Sequence, residues 1–272
     1  MSEANNTISS QEDRIAEAVK KYLYSHGYVH LELKSAMFDM DGVLFDSMPW
    51  HARSWHNTMA HFGFDLSEEE AYMHEGRTGA STINIISLRE RGYEATEEEI
   101  KTIYAYKSKL FNECPIAQTM PGAKTLLASV KASNLIPVLV TGSGQKSLLE
   151  RLENNFPSIF CRKHMVTAFD VKRGKPDPEP YIIGLKKGGN LAPNQSFIVE
   201  NAPLGVKAGH DAGVFTIAAN TGPLPDKVLI EAGADIVFPS IQDLADNWTL
   251  LHRVMTNTQL FCDCKFPHSN GV

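Results

Sequence analysis

Phe38-Asp39-Met40-Asp41-Gly42-Val43-Leu44-Phe45-Asp46-Ser47 closes a short apolar run and sets two carboxylates one residue apart. Side chains at i and i+2 of a strand share a face, so Asp39 and Asp41 leave a strand end on the same side. Gly42 lets the chain turn there without a Cβ penalty. Two carboxylates so placed repel each other unless a cation or a proton sits between them. The spacing suits a nucleophile, an acid/base partner and a hard metal ion; its plain alternative is a solvated Asp-rich turn.

The pattern on either side decides between these. Upstream, Ile15, Val19 and Leu23 recur at helical spacing and predict a helix over about 11–25, after a disordered 1–10. A strand is expected from Leu31 to Asp39. From about 49 to 117 there is no β-rich run. Pro49 suits a first helical turn, Ser67 with Glu70 and Thr96 with Glu99 read as capping boxes, and apolar residues recur helically after Ser81. A helix through Ile100, Ile103, Tyr104, Lys107 and Phe111 completes a small all-helical unit. From Pro121 helices and strands alternate, with strands expected at 137–141, 165–169, 196–200, 214–218 and 236–238.

That alternation predicts an α/β fold: a Rossmann-like parallel sheet with helices on both faces, plus an inserted all-helical cap. The expected division is an N-terminal extension and helix at 1–30, a core at 31–48 and 119–248, a cap at 49–118 and a tail at 249–272. Ligands of such sheets bind beyond the carboxyl ends of the strands. Asp39, Thr141 and Glu200 all fall there, which lifts the first motif above an ordinary turn.

Three more segments carry chemistry. In Val140-Thr141-Gly142-Ser143-Gly144 a strand ends in a hydroxyl and small residues before a helix, so exposed amides with Thr141 and Ser143 favour an anion. Lys175 lies in Lys175-Pro176-Asp177-Pro178-Glu179-Pro180, whose prolines hold its point charge in place. In Val199-Glu200-Asn201-Ala202-Pro203, an acid and an amide offer oxygens suited to Mg²⁺, while Asn201 could equally cap the following helix.

In this order the four segments resemble the haloacid dehalogenase superfamily, in its β-phosphoglucomutase-like group, over roughly 32–245. The resemblance implies a Mg²⁺-dependent phosphohydrolase with Asp39 as nucleophile, forming an aspartyl-phosphate, and Asp41 as acid and base. It implies that Thr141 and Lys175 hold the phosphoryl oxygens. The metal would be held by Asp39, the Asp41 carbonyl, Glu200 and Asn201. His51 matches a position near the hinge and cap of the mutase, and Arg77 one that grips the distal part of a substrate. Asp41 argues against dehalogenation. The absence of lysine between Ser47 and Ile100 argues against Schiff-base hydrolysis of phosphonoacetaldehyde.

The chain departs from its group at Asn201, where relatives have Asp, and at Glu75, two residues from Arg77. Glu75 either pairs with Arg77 or replaces at the metal the charge lost at Asn201. The Glu75/Asn201 pair resembles a branch hydrolysing inorganic pyrophosphate, which makes pyrophosphate the substrate expected from the sequence. The alternative is a sugar-phosphate phosphatase or β-phosphoglucomutase, the latter weakened by Gly144-Gln145 where mutases carry Lys-Asn.

Composition limits the rest. Of 272 residues, 43% are hydrophobic and 21% charged, as in a soluble globular protein. A net charge of -6 without a basic stripe disfavours nucleic acid, and no apolar run is long enough for a membrane. Four cysteines make no disulfide framework, and with no signal-peptide core the expectation is a cytoplasmic monomer acting on a small phosphorylated substrate. Cys262 and Cys264 form a C-x-C in a terminus read as frayed.

Overall fold

The computed structural model describes residues 2–143 and 148–260; side chains are described for 10–143 and 150–260. Gly144, Gln145, Cys262 and Cys264 lie outside the described residues.

The sheet is built from β1 (Ser35–Phe38), β2 (Ile136–Val140), β3 (Met165–Val166), β4 (Ser196–Glu200), β5 (Phe215–Ala219) and β6 (Ile236–Phe238). All neighbours are parallel and the order is β3-β2-β1-β4-β5-β6. Strand alternation divides the core. Ala36 and Phe38 of β1, with Phe197 and Val199 of β4, enter one apolar cluster, while Met37 and Ile198 enter the other.

The first face is covered by α1 (Ser2–His26), α6 (Ala123–Ala132), α11 (Ile241–Asp246) and α12 (Trp248–Asn257). The second packs against α8 (Glu179–Lys187) and α9 (Pro203–Asp211). Three expectations need correction. The helix at the start runs from Ser2, so the predicted disorder over 1–10 is not what the backbone shows. It is also part of the core: Ile15, Val19, Tyr22 and Leu23 are buried, and the Tyr22 hydroxyl donates to the Gly213 carbonyl. The expected tail from 249 begins as α12, which packs against α1 and holds Glu12 through Arg253. Strand β1 is shorter than predicted, because Leu31 to Lys34 run outside the ladder.

Between the strands lie α2 (Met48–His61), α3 (Glu68–Met73), α4 (Gly79–Arg91) and α5 (Glu97–Glu113). Buried side chains of these helices, among them Met59, Ile83, Ile86 and Ile103, with Phe64 and Leu66 of the α2–α3 connection, form a cluster separate from the two core clusters. Thr96 and Glu99 form a reciprocal capping box, whereas Ser67 caps α3 through its own oxygen. The chain leaves and re-enters the sheet region side by side, with Asp46 N–H donating to Gln118 O and Met120 N–H to Leu44 O.

If α1 belongs to the core, truncating a side chain that is fully buried in it must leave a cavity. Leu23→Ala is expected to cost about 2–5 kcal/mol in urea unfolding. A loss below about 1 kcal/mol would contradict this packing.

Candidate active site

The order of strands reverses between β1 and β4, the place where open parallel sheets bind ligands. Asp39 follows β1 and Glu200 ends β4, so the site flanks that switch point. Asp39 N–H continues the ladder to Val199 O, and Gly42 makes its turn at φ +83°. A Cβ there would overlap the Asn201 side chain, so glycine is required by contact as well as by conformation.

Lys175 reaches under this edge from the proline loop and is almost fully buried. Its Nζ donates to Asp39 Oδ1 (2.5 Å), Glu200 Oε1 (2.6 Å) and Val140 O (3.1 Å). Three protons meet three acceptors, so in this state Lys175 positions Asp39 instead of pointing a free donor at a phosphoryl group. Burial lowers the pKa of Lys175, but the two carboxylates outweigh it and hold the ammonium charged.

Asp41 is held from the other side. Ser47 Oγ donates to its Oδ1 at 2.5 Å, and His51 Nε2 lies 3.4 Å from the same oxygen. Lys107 Nζ lies 2.7 Å from His51 Nδ1, an ammonium donating to a ring nitrogen, so His51 carries its proton on Nε2 and donates it to Asp41. Burial, then Lys107, push the His51 pKa down, which keeps the ring neutral. Burial raises the Asp41 pKa, but His51, Ser47 and Arg151 outweigh it and bring it to about 2. Burial lowers Lys107 to about 8, and its ammonium lies over the Trp55 and Phe111 rings.

The helical unit closes over these groups. Gly76 and Thr78 rest on the core loops so closely that a Cβ on Gly142 would stand 3.1 Å from the Gly76 carbonyl. Glu75 then reaches Asn201, whose Nδ2 donates to Glu75 Oε2 at 3.2 Å. Burial first, then Asp39, Glu200 and Asp41, raise the Glu75 pKa well above the usual carboxylate range. Glu75 makes no ion pair with Arg77, which donates to Ser81 Oγ. Asn201 does not cap α9 either: the cap position is Ala202.

Asp39, Asp41, His51, Glu75, Arg77, Thr141, Gly142 and Ser143 line one cavity of about 80 Å³, with Lys175, Glu200 and Asn201 grouped around Asp39 and Glu75. Thr141 Oγ1 accepts the Ser143 amide, which leaves its own O–H as a donor. Four site residues were missed in the sequence: Ser47, Tyr104, Lys107 and Tyr181. Lys107 had a readable signal, since it occupies the apolar stripe of its helix and a lysine there must be paired once buried. It also removes the ground on which a cap lysine was ruled out, because the lysine-free stretch ends at Ile100 and Lys107 lies beyond it on α5.

These features fit a divalent cation. Asn201 Oδ1 is buried without a hydrogen-bond partner, beside carboxylates that repel one another. At an effective dielectric of about 20, two like charges about 4 Å apart cost about 4 kcal/mol. Among the described residues no group of three His, Cys, Asp or Glu side chains is arranged to hold a metal ion. The groups that could hold one are the Asp39 carboxylate, the Asp41 carbonyl, Asn201 Oδ1 and Glu75, all oxygen donors of the kind Mg²⁺ takes. Glu200, expected as a ligand, has all its acceptor positions occupied: Lys175 and Tyr181 at Oε1, the Asn201 and Ala202 amides at Oε2.

A profile of the haloacid dehalogenase-like hydrolases matches residues 36–219, well over half of the chain. The chain belongs to this family. Within it, the hydrolase is 31% identical to hexitol phosphatase A of Escherichia coli over 79% of this chain and 94% of that protein. It is 29% identical to the phosphorylated carbohydrates phosphatase of Thermotoga maritima, over 74% and 92%. A solved structure from Bacteroides vulgatus, named for β-phosphoglucomutase, is 59% identical, with a TM-score of 0.87 over 90% of this chain and 99% of that one.

A pH test follows from Glu75. Its folded pKa lies above the unfolded value, so this group's contribution to stability is present below about pH 4.5 and is lost as pH rises toward the folded pKa. Without metal the melting temperature should therefore fall from this term as pH rises above about 5, and Mg²⁺ should raise it more at pH 7.5 than at pH 5. Equal Mg²⁺ shifts at both pH values would remove Glu75 from the cation site.

Proposed function

We propose that this hydrolase releases phosphate from small phosphorylated substrates through an aspartyl-phosphate on Asp39, with Mg²⁺ as its cofactor. The observation that carries this is the Lys175-bound Asp39 beside a separately held Asp41, both lining one cavity. Asp39, aligned by Lys175, attacks phosphorus as the bond to the leaving oxygen breaks. Mg²⁺ would offset the charge gathering on the phosphoryl oxygens. Thr141 offers its hydroxyl to one of them. Asp41, held ionised, then takes a proton from the water that attacks phosphorus as the bond from phosphorus to the Asp39 oxygen breaks, releasing phosphate and freeing Asp39. Where the leaving group is an alcohol, Asp41 must first carry the proton that the departing oxygen receives.

For the substrate class, the names of the relatives support a phosphorylated carbohydrate or polyol. Arg77, Trp55 and Tyr104 on the cap side of the cavity suit such a ligand, offering a cation and aromatic faces. A second reading, inorganic pyrophosphate, is favoured by Glu75. A carboxylate beside Asn201 repels a monoester unless a cation is shared, and a compact, highly charged ligand would hold that cation best. The low pKa of Asp41 agrees, since a leaving phosphate departs without needing a proton. The cavity of about 80 Å³ is about half of one that holds benzene, which also favours a small ligand in the closed state.

The test is a panel of hexitol, glycerol and glucose phosphates and pyrophosphate, assayed with and without Mg²⁺. Asp39→Asn is expected to abolish turnover of whichever substrate leads, with the fold retained. Wild-type kcat in the purified variant would contradict the covalent route. Glu75→Ala separates the two substrate readings. For pyrophosphate it should lower kcat/KM at least tenfold more than for a monoester, and Asn201→Asp should recover part of that loss. An equal loss for both would leave only the carbohydrate reading. Conversion of glucose 1-phosphate to glucose 6-phosphate would instead mark the enzyme as a mutase.

A further inference from the structure

Glu200 is the most tightly held side chain of the site, and the residue that completes its hold lies outside the cavity. Tyr181, on α8, is fully buried among Met37, Val140 and Ile198 in the second core cluster. Its hydroxyl donates to Glu200 Oε1 at 2.6 Å, the oxygen that also accepts from Lys175 Nζ at 2.6 Å. The other oxygen takes the amides of Asn201 at 3.0 Å and Ala202 at 3.3 Å. A carboxylate has about four acceptor positions, so all are filled. The far side is closed too: a Cβ on Gly205 would stand 1.8 Å from Oε1, so the carboxylate lies directly on the backbone of α9.

We infer that Tyr181 is a positioning residue for the nucleophile, acting through Glu200 and Lys175 on Asp39. Each link has one acceptor or donor to spare for the next and no more. Tyr181 fixes where Oε1 lies, Oε1 takes one of the three ammonium protons, and the ammonium then presents another to Asp39 Oδ1. Without the hydroxyl, Oε1 keeps a single donor and can follow Lys175, and the ammonium gains freedom to leave Asp39. A tyrosine serving only as filler would not need its hydroxyl on a carboxylate. The effect falls on the reacting atom alone, because Tyr181 touches neither the cavity nor the groups of the cap.

This inference rests on the phosphohydrolase reading, and wild-type turnover is the control that keeps the two apart. Tyr181→Phe removes one oxygen and keeps the ring, so the core stays filled. With the best substrate of the panel, kcat should fall about tenfold while KM stays within about twofold, since alignment of the nucleophile and not binding is lost. Glu200→Gln, which keeps the shape but halves the acceptor strength, should lower kcat at least as much. The double variant should then match Glu200→Gln alone, because the hydroxyl acts only through that carboxylate, while the ring, 5.1 Å from Lys175 Nζ, is kept by phenylalanine. Circular dichroism and a melting curve establish that each variant is folded at the assay temperature. A kcat for Tyr181→Phe within about twofold of wild type would overturn the inference, as would losses that multiply in the double variant. A fall in kcat that only tracks the unfolded fraction would overturn it equally. If the wild type turns over nothing in the panel, the phosphohydrolase reading itself fails.

Discussion

One buried ammonium holds this site together. Lys175 sits between Asp39 and Glu200 with three acceptors for its three protons. Leaving either carboxylate unpaired there would cost several kcal/mol, because a buried charge without a partner is among the most expensive defects in a fold. The pairing therefore fixes the distance between the ends of β1 and β4, on the two sides of the sheet's switch point. It also fixes the proline loop that carries Lys175. Function and fold share this constraint: the arrangement that keeps the strands' ends compatible also aims the nucleophile.

The second constraint is excess negative charge. Lys175 neutralises part of what Asp39, Asp41, Glu75 and Glu200 bring to one edge, and the remainder appears as raised pKa values at Asp39 and Glu75, set first by burial. Asp41 escapes because His51, Ser47 and Arg151 hold it. Asp39 and Asp41 are thus pushed to opposite sides of the ordinary carboxylate range, and Asp39, the one pushed up, is the one a bound cation would return to its ionised, nucleophilic form. The helical unit contributes to both: α2 brings His51, α5 brings Lys107, and the loop before α4 brings Glu75.

The sheet was legible in the sequence because its elements obey strong local rules. The strands at 196–200 and 236–238 and the helix at 123–132 fall where apolar runs and turn residues placed them. The start of the chain was misread because polar composition over 1–10 masks a helix whose anchoring residues, Ile15, Val19, Tyr22 and Leu23, come later. Asp39, Asp41, Thr141, Lys175 and Glu200 were legible as strand-end or rigid-loop positions. Glu75 reads ambiguously because its partner, Asn201, is remote in sequence. Tyr181 gives no signal at all: on the page it is one aromatic residue on the apolar side of a helix. Its meaning exists only once α8 is laid against β4. Lys107 stood in plain view as a lysine on an apolar stripe.

Turnover at this site, as proposed, passes a phosphoryl group through Asp39. The most direct measurement is to quench a reaction with acid during turnover and map the phosphorylated peptide by mass spectrometry. One phosphoryl group is expected, carried by the peptide that contains Asp39 and located on that carboxylate. A phosphoryl group found on another residue, or none trapped while phosphate is being released in a rapid burst, would contradict it.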